Sequence, residues 1–487
     1  MSALLPAAML LPLVAVPLIV LLDRYPNRRE AVSLVTGGLL FALVVALVPD
    51  VAAGGRPAWT LAEPLPGIAL AFEVEPLGLI MALVASFLWM VTTVYSIGYM
   101  RGHHEKHQTR FYAFFAIAIA STIGAAFAAN LVTLFVFYEA LTLSTFPLVT
   151  HAGTDEARRA GRTYLGVLIG SSIGLLLLAI AWTWNLTGSV TFTPGGILAG
   201  HATDGTVLVL YALFLFGIGK AALMPLHRWL PAAMVAPTPV SALLHAVAVV
   251  KIGVFSVLKV SIYIFGPALL TSSGAGMALA YVAATTILLG SLVAMRQDNL
   301  KRLLAYSTVS QLSYIVLGAT LANAWGIVGG SLHIVMHAFG KITLFFCAGA
   351  ILVASNKTRV SQLDGIGRRM PWTLGAFTVG ALSMVGVPPL AGFVSKWYLL
   401  LGSITAEQYF VVAVIIVRPL LNAAYFVPII YVAFFRPPAS GVHGEREYGE
   451  APLPMVAALV ATAVLTVTLF FYPDWALALA EQLVGGP

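Results

Sequence analysis

Long apolar segments separated by short polar loops occupy almost the whole chain. A helix needs ~20 apolar residues to cross the ~30 Å hydrocarbon core of a bilayer. On that rule the pattern predicts fourteen spans, at approximately 4–22, 31–49, 77–98, 111–129, 131–150, 164–184, 206–223, 240–265, 277–295, 302–321, 326–353, 372–401, 409–435 and 452–473. The chain is therefore predicted to be an all-α polytopic membrane protein.

Composition supports the same class of protein. The 487 residues are 60% hydrophobic and only 9% charged, whereas a soluble domain carries roughly 25% charged residues. The single cysteine, Cys347, lies in an apolar run, which excludes a disulfide framework and predicts a small buried core residue. The net charge of +7 does not indicate a nucleic-acid partner, because the basic residues lie in short loops between the spans.

The loops differ sharply in charge. Nineteen of the 26 Lys and Arg residues fall in alternate loops, six lie within spans, and Arg56 is alone in the opposite loops. Cytoplasmic loops are the basic ones, so we expect a multi-pass protein of an inner cell membrane with its N-terminus outside. The first run has Arg24 after it and no basic residue before it, the reverse of a secretory signal. We expect it to be a retained span.

Two spans carry helix-breaking residues. The seventh runs into Pro225 and Pro231, and the twelfth has Gly386, Pro388 and Pro389 in its middle. Proline removes a backbone donor, and lipid tolerates the freed carbonyls only where protein or a wet cavity covers them. Because the breaks are five spans apart, we predict an inverted repeat of spans 4–8 and 9–13. The predicted segments are 1–110 (spans 1–3), 111–265 (first repeat), 266–436 (second repeat) and 437–487 (span 14).

Ionisable residues recur inside these spans, where each costs at least ~2.5–3.5 kcal/mol near the bilayer centre. So many buried charges indicate that the chain moves protons or ions. The candidate residues for proton translocation are Glu139, Lys220, His245, Lys251, His333, His337, Lys341 and Lys396.

Glu139 lies near the centre of span five, and Lys220 adjoins the break in span seven. A buried carboxylate must be neutral or paired, and Lys220 is its natural partner. Weakening such a pair would change the protonation of both groups, so the pair could act as a proton switch. The alternative is a static ion pair that fixes helix packing.

His333, His337 and Lys341 are spaced i, i+4 and i+8, which forms one polar stripe ~12 Å long on an apolar span. Two imidazoles followed by an amine suit a proton relay. Structural hydrogen bonding and a metal site remain as alternatives. No Cys or further acid neighbours the two histidines, so we predict no bound metal.

Five further basic residues lie within or beside the spans. His245 and Lys251 share span eight, about 9 Å apart along its axis, and could extend the path from the first break to the stripe. Lys396, just past the second break, is the expected terminal exchange group. Lys259 is expected to snorkel to the interface. Arg418 is expected to pair across the bundle or to line a hydrated path.

Other signals predict little chemistry. GIGK at 217–220 lacks the full spacing of a phosphate loop and lies within a span, so no cofactor is predicted. His103, His104 and His107 share one loop and are expected to be solvated. For His227, beside the first break, hinge anchoring and proton conduction both remain open.

Several stretches now resemble a known family, the antiporter-like subunits shared by respiratory complex I, membrane-bound hydrogenases and the Mrp multisubunit sodium/proton antiporters. The matching stretches are FYEAL (137–141), KAALMPLHRWLPAAMVAPTPVSALLHA (220–246), DNLKRLLAYSTVSQLSYIVLG (298–318), HIVMHAFGKITLFFCAGA (333–350) and GVPPLAGFVSKWYLL (386–400). Three features separate the chain from the three complex I homologues. One homologue has a glutamate where this chain has Lys396, the largest usually has a threonine where this chain has Lys251, and the third usually lacks the 237–246 stretch. The chain is therefore most similar to the Mrp D subunit.

The resemblance implies roles for the buried charges. By this resemblance, Glu139 and Lys220 correspond to the glutamate–lysine pair that is typical of the family. Lys396 would be the far end of the hydrophilic axis, the row of buried polar residues that crosses the subunit. The centre of that axis would be Lys251, His333, His337 and Lys341. Ser395 departs from the glycine that often precedes the terminal lysine, and Arg418 followed by Pro419 is also unusual.

The expected function is that of a proton-conducting subunit of a Na⁺/H⁺ antiporter complex in a prokaryotic membrane, not an enzyme. Its expected partners are other membrane subunits, protons, sodium ions and the bilayer. The main alternative is the proton-pumping arm of a complex I-like or hydrogenase-type oxidoreductase, whose redox chemistry would belong to its partners. A bicarbonate-uptake module and a purely structural anchor are further alternatives.

Overall fold

The computed structural model describes residues 4–437 and 448–485, so part of the predicted 437–487 segment lies outside the described residues. Helices dominate it because apolar backbone in a bilayer must satisfy its own hydrogen bonds. The helices of the first half are α1 (Leu4–Leu21), α2 (Pro26–Ala46), α3 (Val48–Ala52), α4 (Pro76–Gly102), α5 (Gln108–Ala126), α6 (Leu131–Val149), α7 (Asp155–Ser171), α8 (Leu177–Thr187), α9 (Asp204–Gly217), α10 (Trp229–Ala232), α11 (Thr238–Ala242) and α12 (Val249–Val260).

Longer helices make up most of the second half. They are α13 (Pro267–Ser272), α14 (Ala275–Ala294), α15 (Leu300–Leu321), α16 (Ala324–Ser355), α17 (Ile366–Arg369), α18 (Pro371–Val385), α19 (Ala391–Thr405), α20 (Tyr409–Phe435), α21 (Leu453–Phe471) and α22 (Asp474–Glu481). Single π-helical turns join α7 to α8 and α11 to α12, so each of these pairs forms one long segment.

The predicted class, an all-α polytopic membrane protein, is confirmed. Eleven segments are long and apolar enough to cross a membrane within the part of the chain that the structure describes. The other three predicted spans are α15 and the two broken segments, α9 with the turns after it and α18 with α19. The division of the chain into two inverted repeats stays a prediction.

A short hairpin precedes α4 and was not predicted. β1 (Ala58–Leu65) pairs with β2 (Ile68–Glu73) in antiparallel register, with Ala58 opposite Glu73. Backbone hydrogen bonds from the hairpin to residues 127–129 tie it to the loop between α5 and α6. The hairpin therefore covers one end of the helix bundle.

Two segments form the centre of the bundle. The segment Thr238–Phe265, which contains α12, is completely buried, and α16 is buried from Gly326 to Ile351. α16 packs against α4, α15, α18, α19 and α21. Most of the predicted ionisable residues lie on these two segments, so the fold places them where lipid cannot reach.

Both predicted breaks are present. α9 ends at Gly217 and is followed by a 3₁₀ turn, Gly219–Ala221. α18 ends at Val385 and α19 begins at Ala391. A glycine lets a neighbouring helix turn approach each break: a Cβ on Gly253 would lie 2.3 Å from the carbonyl carbon of Lys220, and one on Gly392 would lie 1.9 Å from a backbone oxygen of α18.

Candidate functional site

Lys251 and the α16 histidines meet at the centre of the bundle. Lys251 Nζ donates to the Ile334 carbonyl at 2.8 Å and lies 2.9 Å from Nδ1 of His337. The ring of His337 is 5.7 Å from that of His333, centroid to centroid. Lys251, both histidines and Lys341 are fully buried. The structure therefore brings the predicted stripe and the span-eight lysine into one polar cluster.

A hydrogen-bonded series leads from His333 to the second break. Gln311 Nε2 donates to the Met384 carbonyl at 2.9 Å, so its Oε1 faces His333 Nε2 at 3.0 Å. This orientation makes His333 Nε2 a donor, and Nδ1 of a neutral ring then accepts from Ser395 Oγ at 2.8 Å. Lys396 Nζ donates to the same Met384 carbonyl at 2.6 Å.

A second series starts at Lys341 and reaches the same carbonyl. Lys341 Nζ donates to Ser307 Oγ at 2.9 Å, and the Tyr425 hydroxyl contacts that Oγ at 3.1 Å. Tyr425 also donates to Asn422 Oδ1, and Asn422 Nδ2 donates to the Met384 carbonyl at 2.6 Å. Both series therefore converge at the second break.

The Met384 carbonyl is available because α18 stops one residue later, so no following turn of helix supplies an N–H for it. Four side chains donate to it: Gln311, Lys396, Asn422 and Arg418, the last through Nη1 at 3.1 Å. Arg418 is fully buried and also donates through Nε to Ser310 Oγ at 3.2 Å. Arg418 therefore pairs across the bundle as expected, and its partners are the Met384 carbonyl and the Ser310 hydroxyl.

Lys220 occupies the turn after the first break and is fully buried. Its Nζ donates to the Tyr138 carbonyl at 2.7 Å and to Thr142 Oγ1 at 2.6 Å, and lies 3.1 Å from the centre of the Tyr138 ring. It makes no salt bridge with Glu139 among residues 4–437 and 448–485. The expected direct pairing is therefore not formed here, although the two residues lie within electrostatic range.

Glu139 and His245 have unused hydrogen-bonding capacity. Both carboxylate oxygens of Glu139 and both ring nitrogens of His245 are buried without a hydrogen-bond partner in the part of the chain that is described. The His245 ring packs 4.6 Å from the ring of Phe345. Orphaned polar groups at such depth are costly, which distinguishes these two residues from the bonded cluster around Lys251.

The expectation that Lys259 snorkels to the interface is wrong. Its side chain is buried, and Nζ forms a 3.2 Å salt bridge with Glu75. Glu75 caps α4 through the backbone N–H groups of Leu77 and Gly78 and accepts from the Tyr263 hydroxyl at 3.0 Å. Burial is favoured over snorkelling because this carboxylate supplies a fixed counter-charge at the helix terminus.

Sequence reasoning missed the uncharged members of the cluster. Ser307 and Gln311 share one face of α15 at i, i+4 spacing, a polar pair within an apolar helix that could have been found. Tyr138, Thr142 and Asn422 gave no comparable signal.

The chain matches the family described as the NADH:quinone oxidoreductase/Mrp antiporter transmembrane region over residues 128–421. It also matches the N-terminal region of complex I NADH-ubiquinone oxidoreductase chain 5 over residues 65–112. The first match covers more than half of the chain. The protein therefore belongs to this family of antiporter-like membrane subunits, as the sequence motifs predicted.

The relatives include subunits of quinone oxidoreductases and subunits of cation/proton antiporters. The N subunit of the NADH-quinone oxidoreductase of Desulforudis audaxviator is 36% identical over 378 residues, which cover 77% of this chain and 74% of that protein. The D subunit of the Na⁺/H⁺ antiporter of Alkalihalophilus pseudofirmus is 26% identical over 483 residues, covering 98% and 96%. A chain of the Mrp complex from Dietzia sp. DQ12-45-1b has the same fold, with a TM-score of 0.86 at 24% identity over 100% of this chain and 97% of that one.

Proposed function

We propose that this chain is the proton-conducting subunit of a multisubunit monovalent cation/proton antiporter and that sodium is the exchanged cation. Protons would pass from Glu139 and Lys220 by way of His245 to Lys251, then along the α16 stripe to Lys396. The proposal is supported by the resemblance over nearly the whole chain to the D subunit of an antiporter. Similarity to a multisubunit Mrp assembly supports membrane-protein partners.

One observation carries the proposal: the buried polar groups from Lys251 to Lys396 form a nearly continuous series. Lys251 contacts His337, and His333 contacts Gln311, whose amide shares the Met384 carbonyl with Lys396. Two steps lack a direct hydrogen bond: the two imidazoles are 5.7 Å apart, and Gln311 and Lys396 meet only as two donors to one carbonyl. Proton transfer would need a bridging water at each of these steps. A static packing role needs no such alignment, whereas proton transfer needs groups within hydrogen-bond reach or one water apart.

The lysines are suited to carry the mobile charge. Lys251 and Lys396 each contact a backbone carbonyl, and among the described residues neither has a carboxylate partner that would fix its charge. An amine can release and regain a proton where an arginine cannot. Sodium movement would take place elsewhere in the assembly and be coupled to this charge movement electrostatically.

The test is sodium-driven proton flux in liposomes that contain the complete purified complex. Lys251→Met keeps much of the side-chain volume but removes the amine, so we expect at least a roughly tenfold loss of flux. Lys357→Met is the matched control: it makes the same substitution at a loop lysine that contacts the Tyr448 hydroxyl and lies off the route. This variant should retain activity. Full flux in Lys251→Met complexes of normal composition would contradict the route.

A redox-driven proton pump is the second candidate function, and the 36% identity to a quinone oxidoreductase subunit favours it. The composition of the purified assembly separates the two. Flavin- or iron–sulfur-bearing partners would favour the pump, whereas a complex of membrane subunits that builds a pH gradient from sodium alone would favour the antiporter.

We further propose that the N-terminus lies outside and that the basic loops face the cytoplasm of a prokaryotic cell. The charge bias between loops supports this orientation. Single cysteines at Glu156 and His201 would be probed in whole cells with a membrane-impermeant maleimide, since both sites are exposed and Cys347 is buried. Labelling at His201→Cys and protection at Glu156→Cys are expected; the opposite pattern would reverse the topology.

A further inference from the structure

The end of the bundle that carries the basic loops is called the basic face. A cavity of about 300 Å³ opens there, among those loops. Its lining includes Tyr99, His103, Glu105, Pro237 and Lys301. The cavity is large enough for water, and its polar lining groups supply hydrogen-bond partners. The translocation route described above does not use any of these residues.

Two titratable side chains of the α4–α5 loop, His103 and Glu105, line this cavity, and His151 from the α6–α7 loop lies against Glu105. Glu105 Oε1 lies 3.1 Å from Nδ1 of His103, and its Oε2 lies 3.7 Å from Nε2 of His151. His103 is partly exposed, Glu105 less so, and His151 is buried with both ring nitrogens lacking a hydrogen bond within the described chain. Exposure therefore falls from His103 through Glu105 to His151.

Burial lowers the pKa of His151, although the nearby Glu105 carboxylate raises it; Arg110 and His107 add to the lowering. The ring is accordingly a neutral acceptor at neutral pH, beside a carboxylate that attracts protons. His151 Nε2 faces Glu105 Oε2 at 3.7 Å, a separation that one water could bridge.

The inner wall of the cavity leads to the proposed route. Pro237 immediately precedes α11, and His245 lies eight residues further along the same segment, about 12 Å away at helical rise. Ala348 lies on the same wall, about 10 Å along α16 from Lys341. Thr238 Oγ1, buried and without a hydrogen-bond partner in the described residues, lies at the start of that path.

We propose that Glu105, His103 and His151 form a proton-collecting site that loads protons from the basic face into the cavity and on towards His245. The inference rests on the proposed function, because it names where protons join that route. A carboxylate beside histidines at the cavity surface raises the local proton concentration and passes protons to the buried acceptor. His103 is exposed, as expected from the sequence, and would have a role in this cluster as well.

The test is proton flux by the complete complex in liposomes, at low and at high concentrations of a small mobile buffer. Glu105→Gln and His151→Gln should each slow flux at least roughly tenfold in weak buffer. A high concentration of imidazole buffer should restore most of it, because the buffer then delivers protons directly to the cavity. His104→Gln is the matched control, since His104 is exposed on the same loop and does not line the cavity; it should leave flux unchanged.

The outcomes separate this site from the route itself. Lys251→Met should stay slow at every buffer concentration, because it interrupts the path downstream. Slow flux in both Glu105→Gln and His151→Gln that buffer does not rescue, in complexes of normal composition, would mean a structural role and overturn the inference. Undiminished flux in weak buffer would overturn it as well. Absence of sodium-driven flux in the unaltered complex would instead reject the proposed function.

Discussion

Replacing Arg418 with methionine should change how strongly Lys396 holds its proton. Arg418 Nη1 and Lys396 Nζ donate to the same Met384 oxygen at 3.1 and 2.6 Å. The two nitrogens are therefore no more than about 5.7 Å apart, and two unit charges at that distance repel by about 3 kcal/mol at an effective dielectric constant of about 20. Arginine stays charged, so this repulsion opposes protonation of Lys396.

Arg418→Met removes the repulsion. Protonation near the second break would no longer be opposed by a fixed positive charge, so the pH midpoint of sodium-driven proton flux should move upward. The fold should tolerate the change, because the Met384 carbonyl keeps three other donors and Ser310 Oγ keeps its contacts with Ser291 and the Ile287 carbonyl.

Flux would be measured at a series of pH values from about 6 to about 10, in liposomes containing the complete complex. Arg418→Lys, which can retain a positive charge at this position, is the control and should have a midpoint closer to that of the unaltered protein. An unchanged midpoint in an active Arg418→Met complex would refute the argument that a fixed charge acts on Lys396.

Two further predictions concern stability and would be measured as thermal unfolding of the purified protein. Gly253→Ala should destabilise it by about 1–3 kcal/mol, because the added methyl would lie 2.3 Å from the Lys220 carbonyl carbon; Gly375→Ala, with nothing within 4 Å, is the control and should have little effect. Lys259→Met should cost about 3 kcal/mol by leaving Glu75 buried without its cation, and adding Glu75→Gln should recover part of that loss. Equal stability of the single and double variants would argue against the ion pair.

The sequence by itself determined the membrane class and the two breaks. A bilayer has a fixed thickness and cannot hydrogen-bond to the backbone, so apolar length and the positions of proline and glycine are sufficient for those conclusions. It also identified the buried charges on α16, because a charged residue in an apolar run is visible without any structure.

Only the tertiary structure decided which groups these charges contact. The Met384 carbonyl, on which four side chains converge, has no signature in the residue letters, since every residue has a carbonyl and only the end of α18 frees this one. Lys220 contacts Tyr138 and Thr142 instead of Glu139, a choice that depends on how the two helices are oriented. Contacts between helices depend on the rotation and depth of each helix, and a shift of one residue turns a side chain by about 100°.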